Sequence, residues 1–150
     1  GEPLRHAVDR LRGAGIRISL FIDPAPAVVE LAAKLGAAAV EFHTGEYAAA
    51  SEAERPRALQ RLRHAATIGR DLGLAIHAGH GLTYRNVHPV AAIAEIEELN
   101  IGHSIVSRSV MIGLEAAVRE MRALVPAPGV PSAAGCSGAG VVELFTRVLR

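Results

Sequence analysis

The chain has 150 residues, half of them hydrophobic, which is enough apolar material for one globular core. Its formal net charge is only +1, both signs are interspersed and aromatic residues make up 3%, so neither a nucleic-acid surface nor an anionic-membrane patch is expected. No apolar run is long enough to span a bilayer, and the single cysteine, Cys136, rules out an intrachain disulfide and fits a reducing cytoplasm.

The first residues carry no apolar signal core, so no secretory leader is read there. The chain starts without Met and reads as beginning inside a longer gene product. Leu4, Val8 and Leu11 fall at helical spacing and predict a helix over 4–13, stopped by Gly13 and Gly15. Residues 16–23 form a short β-branched and apolar run, a first strand. Asp23-Pro24-Ala25-Pro26 ends it, and Pro26 suits the first turn of a helix to about Leu35, closed by Gly36. A second strand is predicted over 38–44. Ser51 and Glu54 have the Ser-x-x-Glu form of a capping box and open a long helix to about Leu72. Leu59, Leu62, Ala66 and Ile68 mark its apolar side, and Gly73 stops it.

A third strand over 74–78 runs into Gly79-His80-Gly81. A loop over 82–86 then leads to a shorter helix over 90–99, a fourth strand over 101–107 and a final amphipathic helix over 110–124. Strands alternating with helices predict an α/β fold with a parallel sheet and right-handed crossovers. Residues 126–140 are rich in Pro, Gly, Ala and Ser. They read as a linker or disordered tail, with a short helix possible over 141–150. Two parts are thus expected, 1–125 as the folded unit and 126–150 as the tail.

In parallel α/β sheets ligands bind at the carboxyl ends of the strands. Those ends carry Asp23, then Glu41 to Gly45, then His77 to Gly81, then Gly102 and His103. Four of the seven histidines fall in this set, and histidine exchanges protons near neutral pH. Alternation puts Glu41 and His43 on one face and Val40 and Phe42 on the other, against the helices. Each residue also has a plainer reading. Glu41 could serve a structural ion pair, His43 a neighbouring hydrogen bond, His80 an idle loop, and Gly102-His103 a core strand. In the functional reading, the glycines around His80 let backbone approach a ligand, and Gly102-His103 offers N–H groups to a phosphate. His77-x-x-His80 has the look of a metal pair, but positions three apart on a strand point to opposite faces, so no metal site is expected. His6, His64 and His88 read as surface histidines.

The segments SLFID (19–23), VEFHTGEYA (40–48), HAGHGLTYRNV (77–87) and ELNIGHSIVSRSVMIGL (98–114) resemble, in order and spacing, blocks of the pyridoxine 5'-phosphate synthase family. The resemblance covers roughly residues 1–124. It implies the C-terminal half of a TIM (β/α)8 barrel, strands five to eight. It also implies an enzyme of vitamin B6 biosynthesis that condenses 3-amino-2-oxopropyl phosphate with 1-deoxy-D-xylulose 5-phosphate, with no metal or organic cofactor. Carried over by motif, His80 is the proton donor and Glu41 the carboxylate that stabilises a transition state. Gly81, Gly102 and His103 bind the amino-ketone phosphate. The partners implied are small phosphorylated substrates and further copies of the chain, with an octamer as the family's assembly. His77 departs from the family's usual Asn, which is expected to alter hydrogen bonding near His80.

A barrel of this kind needs about 250 residues and eight strands. The half expected to carry the general bases and most deoxyxylulose phosphate contacts is not in this sequence. Four strands in an arc leave two open edges and an uncovered inner face, so self-association or instability is expected. The competing reading is a non-catalytic half-barrel that binds phosphate or another protein and is inactive alone.

Overall fold

A computed structural model describes residues 2–125. The elements run α1 (Glu2–Gly13), β1 (Ser19–Ile22), α2 (Pro26–Leu35), β2 (Ala39–His43), α3 (Gly45–Ala49), α4 (Arg55–Asp71), β3 (Ala75–Gly79), α5 (Val87–Ala91), β4 (Ile96–Asn100), α6 (His103–Ile112) and α7 (Leu114–Ala123). The strands form one parallel sheet in the order β1-β2-β3-β4. Strand order follows chain order, so each crossover returns to the next position. This is the arrangement of half a (β/α)8 barrel. The expected tail over 126–150, with Cys136 and the possible terminal helix, lies outside the described residues.

Local chemistry sets the helix ends. Pro26 sits in the first turn of α2, where a missing N–H costs nothing. Gly36 closes that helix at φ 81, and its N–H bonds the Ala33 carbonyl at 2.9 Å. The Ser51–Glu54 motif forms a turn before α4: the Glu54 carboxylate accepts the Ser51 hydroxyl at 2.6 Å and its N–H at 3.4 Å. These bonds hold Glu54 below the usual carboxylate range. The helix itself starts at Arg55.

Among the described residues, helices cover only one face of the sheet. On that outer face Val40, Phe42, Ile76, Ala78, Ile96 and Leu99 are 0–2% exposed. Leu62, Ala65, Ala66 and Gly69 of α4 are buried and close over them. Of the apolar side expected for α4, Leu62 and Ala66 are buried, while Leu59 and Ile68 pack only at the edge of the core. Gly69 lets the helix approach: a Cβ there would stand 2.5 Å from Ile76 Cδ1.

The fourth strand is not where periodicity put it. It occupies Ile96–Asn100, inside the helix expected over 90–99, and α5 is only Val87–Ala91. Ile93, Ile96 and Leu99 repeat every three residues, which reads as a helix face. The register explains how a strand satisfies that spacing. Ile76 pairs with Ile96 and the next residue, His77, pairs with Glu98, so Glu97 is an extra residue, a β-bulge. The bulge turns Ile96 and Leu99 to the same face. Residues 103–107, expected as strand, instead open α6. The final helix is also split, because Gly113 adopts φ 82, ψ 153 between α6 and α7.

Candidate active site

The inner face carries the unusual residues. Strand alternation places Phe21, Glu41, His43, His77, Gly79, Glu98 and Asn100 there. A carboxylate and imidazoles at such positions need partners. Glu41 is half-buried, and its carboxyl is raised above the usual range, first by burial and then by repulsion from Glu98. The Asn100 side chain and His80 pull it the other way. The space beside Glu41 is kept by Gly79, where a Cβ would come 2.5 Å from Glu41 Oε1 and 2.9 Å from the Asn100 carbonyl.

His80 follows β3 directly and holds φ 79, the one described non-glycine residue with positive φ. This region costs an ordinary side chain about 1 kcal/mol or more, so the surroundings must impose it. Fully buried Thr44 does so. Its N–H donates to the Gly79 carbonyl at 2.8 Å, and its hydroxyl lies 2.7 Å from that carbonyl and 2.6 Å from the His80 carbonyl. Gly81 continues the left-handed turn at φ 76, pressed against Ala48. Asn86 then ties the loop, accepting the Thr83 N–H at 2.6 Å and donating to the Gly81 carbonyl at 3.3 Å. Tyr47 donates its hydroxyl to the Asn86 carbonyl at 2.8 Å.

The His80 ring stacks on His43, with centroids 4.5 Å apart and planes tilted by 34°. Phe21 meets the other side of His43 edge-on at 5.3 Å, and Asp23 lies 3.9 Å from His43 Nδ1. His43 is therefore wedged between aromatic neighbours from two other strand ends. His77 faces elsewhere: its Nδ1 is 3.7 Å from Glu98 Oε1, across the sheet.

Glu41, His80, Gly81, Gly102 and His103 all line one cavity of about 650 Å³ at the carboxyl end of the strands. The five residues singled out by motif thus come together. Gly102 and His103 are not strand residues, as expected from sequence, but the N-cap and first residue of α6. The free N–H groups and positive dipole end of that helix face the cavity, a better anion seat than a strand edge. Phe21, Asn100, Ser104 and Ser107 also line the cavity and had been given no role. Asn100 lies within the LNIGH block and Thr44 within VEFHTGEYA, but nothing in a linear motif tells a side chain that touches ligand from one that bends a loop. Among the described residues, no group of three or more His, Cys, Asp or Glu is arranged to hold a metal ion. His6, His64 and His88 are exposed.

A family profile described as "Pyridoxal phosphate biosynthesis protein PdxJ" matches residues 1–127. The chain belongs to that family. Among curated relatives named pyridoxine 5'-phosphate synthase, the chain is 50% identical over 125 residues to that of Synechococcus sp. (strain RCC307), covering 83% of this chain and 50% of the relative. The Prochlorococcus marinus (strain MIT 9303) relative is 55% identical over 125 residues, covering 83% and 51%. The Synechococcus sp. (strain JA-2-3B'a(2-13)) relative is 57% identical over 120 residues, covering 79% and 50%. The chain spans about half the length of the curated relatives it matches. No helix among the described residues is long and apolar enough to cross a membrane.

Proposed function

We propose that this chain supplies one half of a pyridoxine 5'-phosphate synthase active site. The reaction is condensation of 3-amino-2-oxopropyl phosphate with 1-deoxy-D-xylulose 5-phosphate in vitamin B6 biosynthesis. One observation carries the reading: in a chain of this family, Glu41, His80, Gly81, Gly102 and His103 line a single cavity. Imine formation, dehydration and ring closure each move protons, and His80 at the cavity wall is placed to deliver them. Glu41, beside it, offers fixed negative charge to cations that develop along the way. The α6 N-terminus, with Gly102 and His103, suits the amino-ketone phosphate, and Gly81 leaves room for it. No metal or organic cofactor has a part in this scheme. The enzyme is read as cytoplasmic and as a homo-oligomer. Taken by itself, the chain presents β1 and β4 as sheet edges and is expected to self-associate or be unstable; a sharply melting monomer in sedimentation and calorimetry would count against that expectation.

The test is turnover of both phosphates by this chain combined with a supplied N-terminal half. Product is expected from the combination and not from this chain alone. His80→Asn is expected to abolish product while leaving the melting curve unchanged, because Asn tolerates positive φ. Near-normal turnover in that variant removes His80 from its role. No product from any combination favours a non-catalytic half-barrel.

A further inference from the structure

Behind the cavity wall the inner face holds a pair of titratable side chains that the scheme above does not use. Glu41 pairs in register with His77, and His77 with Glu98, so the three stand in one row across β2, β3 and β4. The His77 and Glu98 side chains are only 12% and 13% exposed, with Nδ1 and Oε1 3.7 Å apart. His77 and Glu98 do not line the cavity themselves, and Glu41 is the member of their row that does.

Two carboxylates and one imidazole so placed cannot hold their charges independently. Around Glu41 stand Phe21 on β1, His77 and Gly79 on β3, Glu98 and Asn100 on β4, and His80 just beyond β3. Glu98 is the one other anion in that set, and His77 is the cation-forming group in its reach. The His77 ring, 3.7 Å from the Glu98 carboxylate, is placed to share its charge; without that ring, the Glu98 charge acts on Glu41 from side chains largely shielded from water, where screening is weak.

We propose that His77 and Glu98 form a positioning pair that sets the charge Glu41 presents to the cavity. Its catalytic meaning rests on the reading of Glu41 given above; the coupling itself does not. Repulsion from Glu98 already contributes to the raised carboxyl of Glu41.

The experiment is a carbon-13 titration of the Glu41 carboxyl in the whole chain, assigned with Glu41→Gln. Glu98→Gln is expected to move the Glu41 midpoint down. His77→Asn is expected to move it up, and by less once Glu98 is already Gln. His77→Gln serves as a second variant if His77→Asn fails to fold. An unmoved Glu41 midpoint in Glu98→Gln, or a downward shift in both His77 variants, overturns the pair. In the reconstituted enzyme the acid limb of the pH–rate profile should follow the Glu41 midpoint through the same variants; a limb that stays fixed while the midpoint moves also overturns the positioning role. Absent turnover with a responsive Glu41 midpoint would sink the proposed function and leave the coupling standing.

Discussion

The two faces of the sheet are built from the same strands and follow opposite rules. The outer face is sealed: Val40, Phe42, Ile76, Ala78, Ile96 and Leu99 lie under helices and carry no polar atom beyond the backbone. The inner face presents Glu41, His43, His77, Glu98 and Asn100, with Phe21 57% exposed. Adjacent residues on one strand thus divide the work. Burial of the outward residue stabilises the unit by roughly 1.5–3 kcal/mol for a large side chain. The inward neighbour is left free for chemistry and adds little to stability. Every inward charge has a neighbour that limits its cost, which is why the face can stay polar without unfolding the sheet.

The largest expected contrast lies between two phenylalanines. Phe42→Ala removes a fully buried ring from the sealed face and should cost about 3–5 kcal/mol in denaturant unfolding. Phe21→Ala should cost below about 1 kcal/mol, because over half of that side chain is already solvated. Equal losses would show that the inner face carries as much of the fold as the outer one.

A smaller effect tests how closely α4 is pressed onto the outer face. In an ordinary helix interior Gly→Ala gains up to about 1 kcal/mol. At Gly69 the added methyl would meet Ile76 Cδ1 at 2.5 Å and Val29 Cγ1 at 3.4 Å. Gly69→Ala should therefore destabilise, by about 1–3 kcal/mol. A gain in melting temperature would mean that the helix can lift off the sheet.

The smallest effect concerns the inner face and depends on pH. The Glu41 carboxyl is raised above its ordinary value of 4.5 in the fold. A raised carboxyl contributes stability that is full below the unfolded value and is lost as pH rises through the folded one. Glu41→Gln should then stabilise at neutral pH, by less than the ~1 kcal/mol common for point changes, and make no difference well below pH 4.5. Calorimetry across that window checks the sign. A loss at neutral pH would show that the carboxylate is held by favourable contacts and not by a tolerated strain.

Much of the site was readable in the linear sequence because its chemistry sits in short blocks at strand ends. Glu41 in EFHTG and His80 in AGHGLTY needed only the period of two and the glycines around them to be placed on the inner face and its rim. Thr44 was not readable in this way. Its hydroxyl acts on carbonyls 35 and 36 residues away, and a small polar residue after a strand looks the same whether or not it bends a distant loop. His77 was read as a disturbance near His80, while its ring points across the sheet to Glu98.

The sequence alone determined the alternation of strands and helices and the outward and inward sides of β2, because these follow from local periodicity, while the grouping of five residues into one site came from the family motifs they sit in. Tertiary structure decided where β4 runs, since only pairing with β3 and the bulge at Glu97 place Ile96 and Leu99 on one face. It also decided that Gly102 and His103 cap a helix, and that Glu41, His77 and Glu98 share a row. Those outcomes depend on register between segments distant in sequence, and register is set by the packing of a whole sheet.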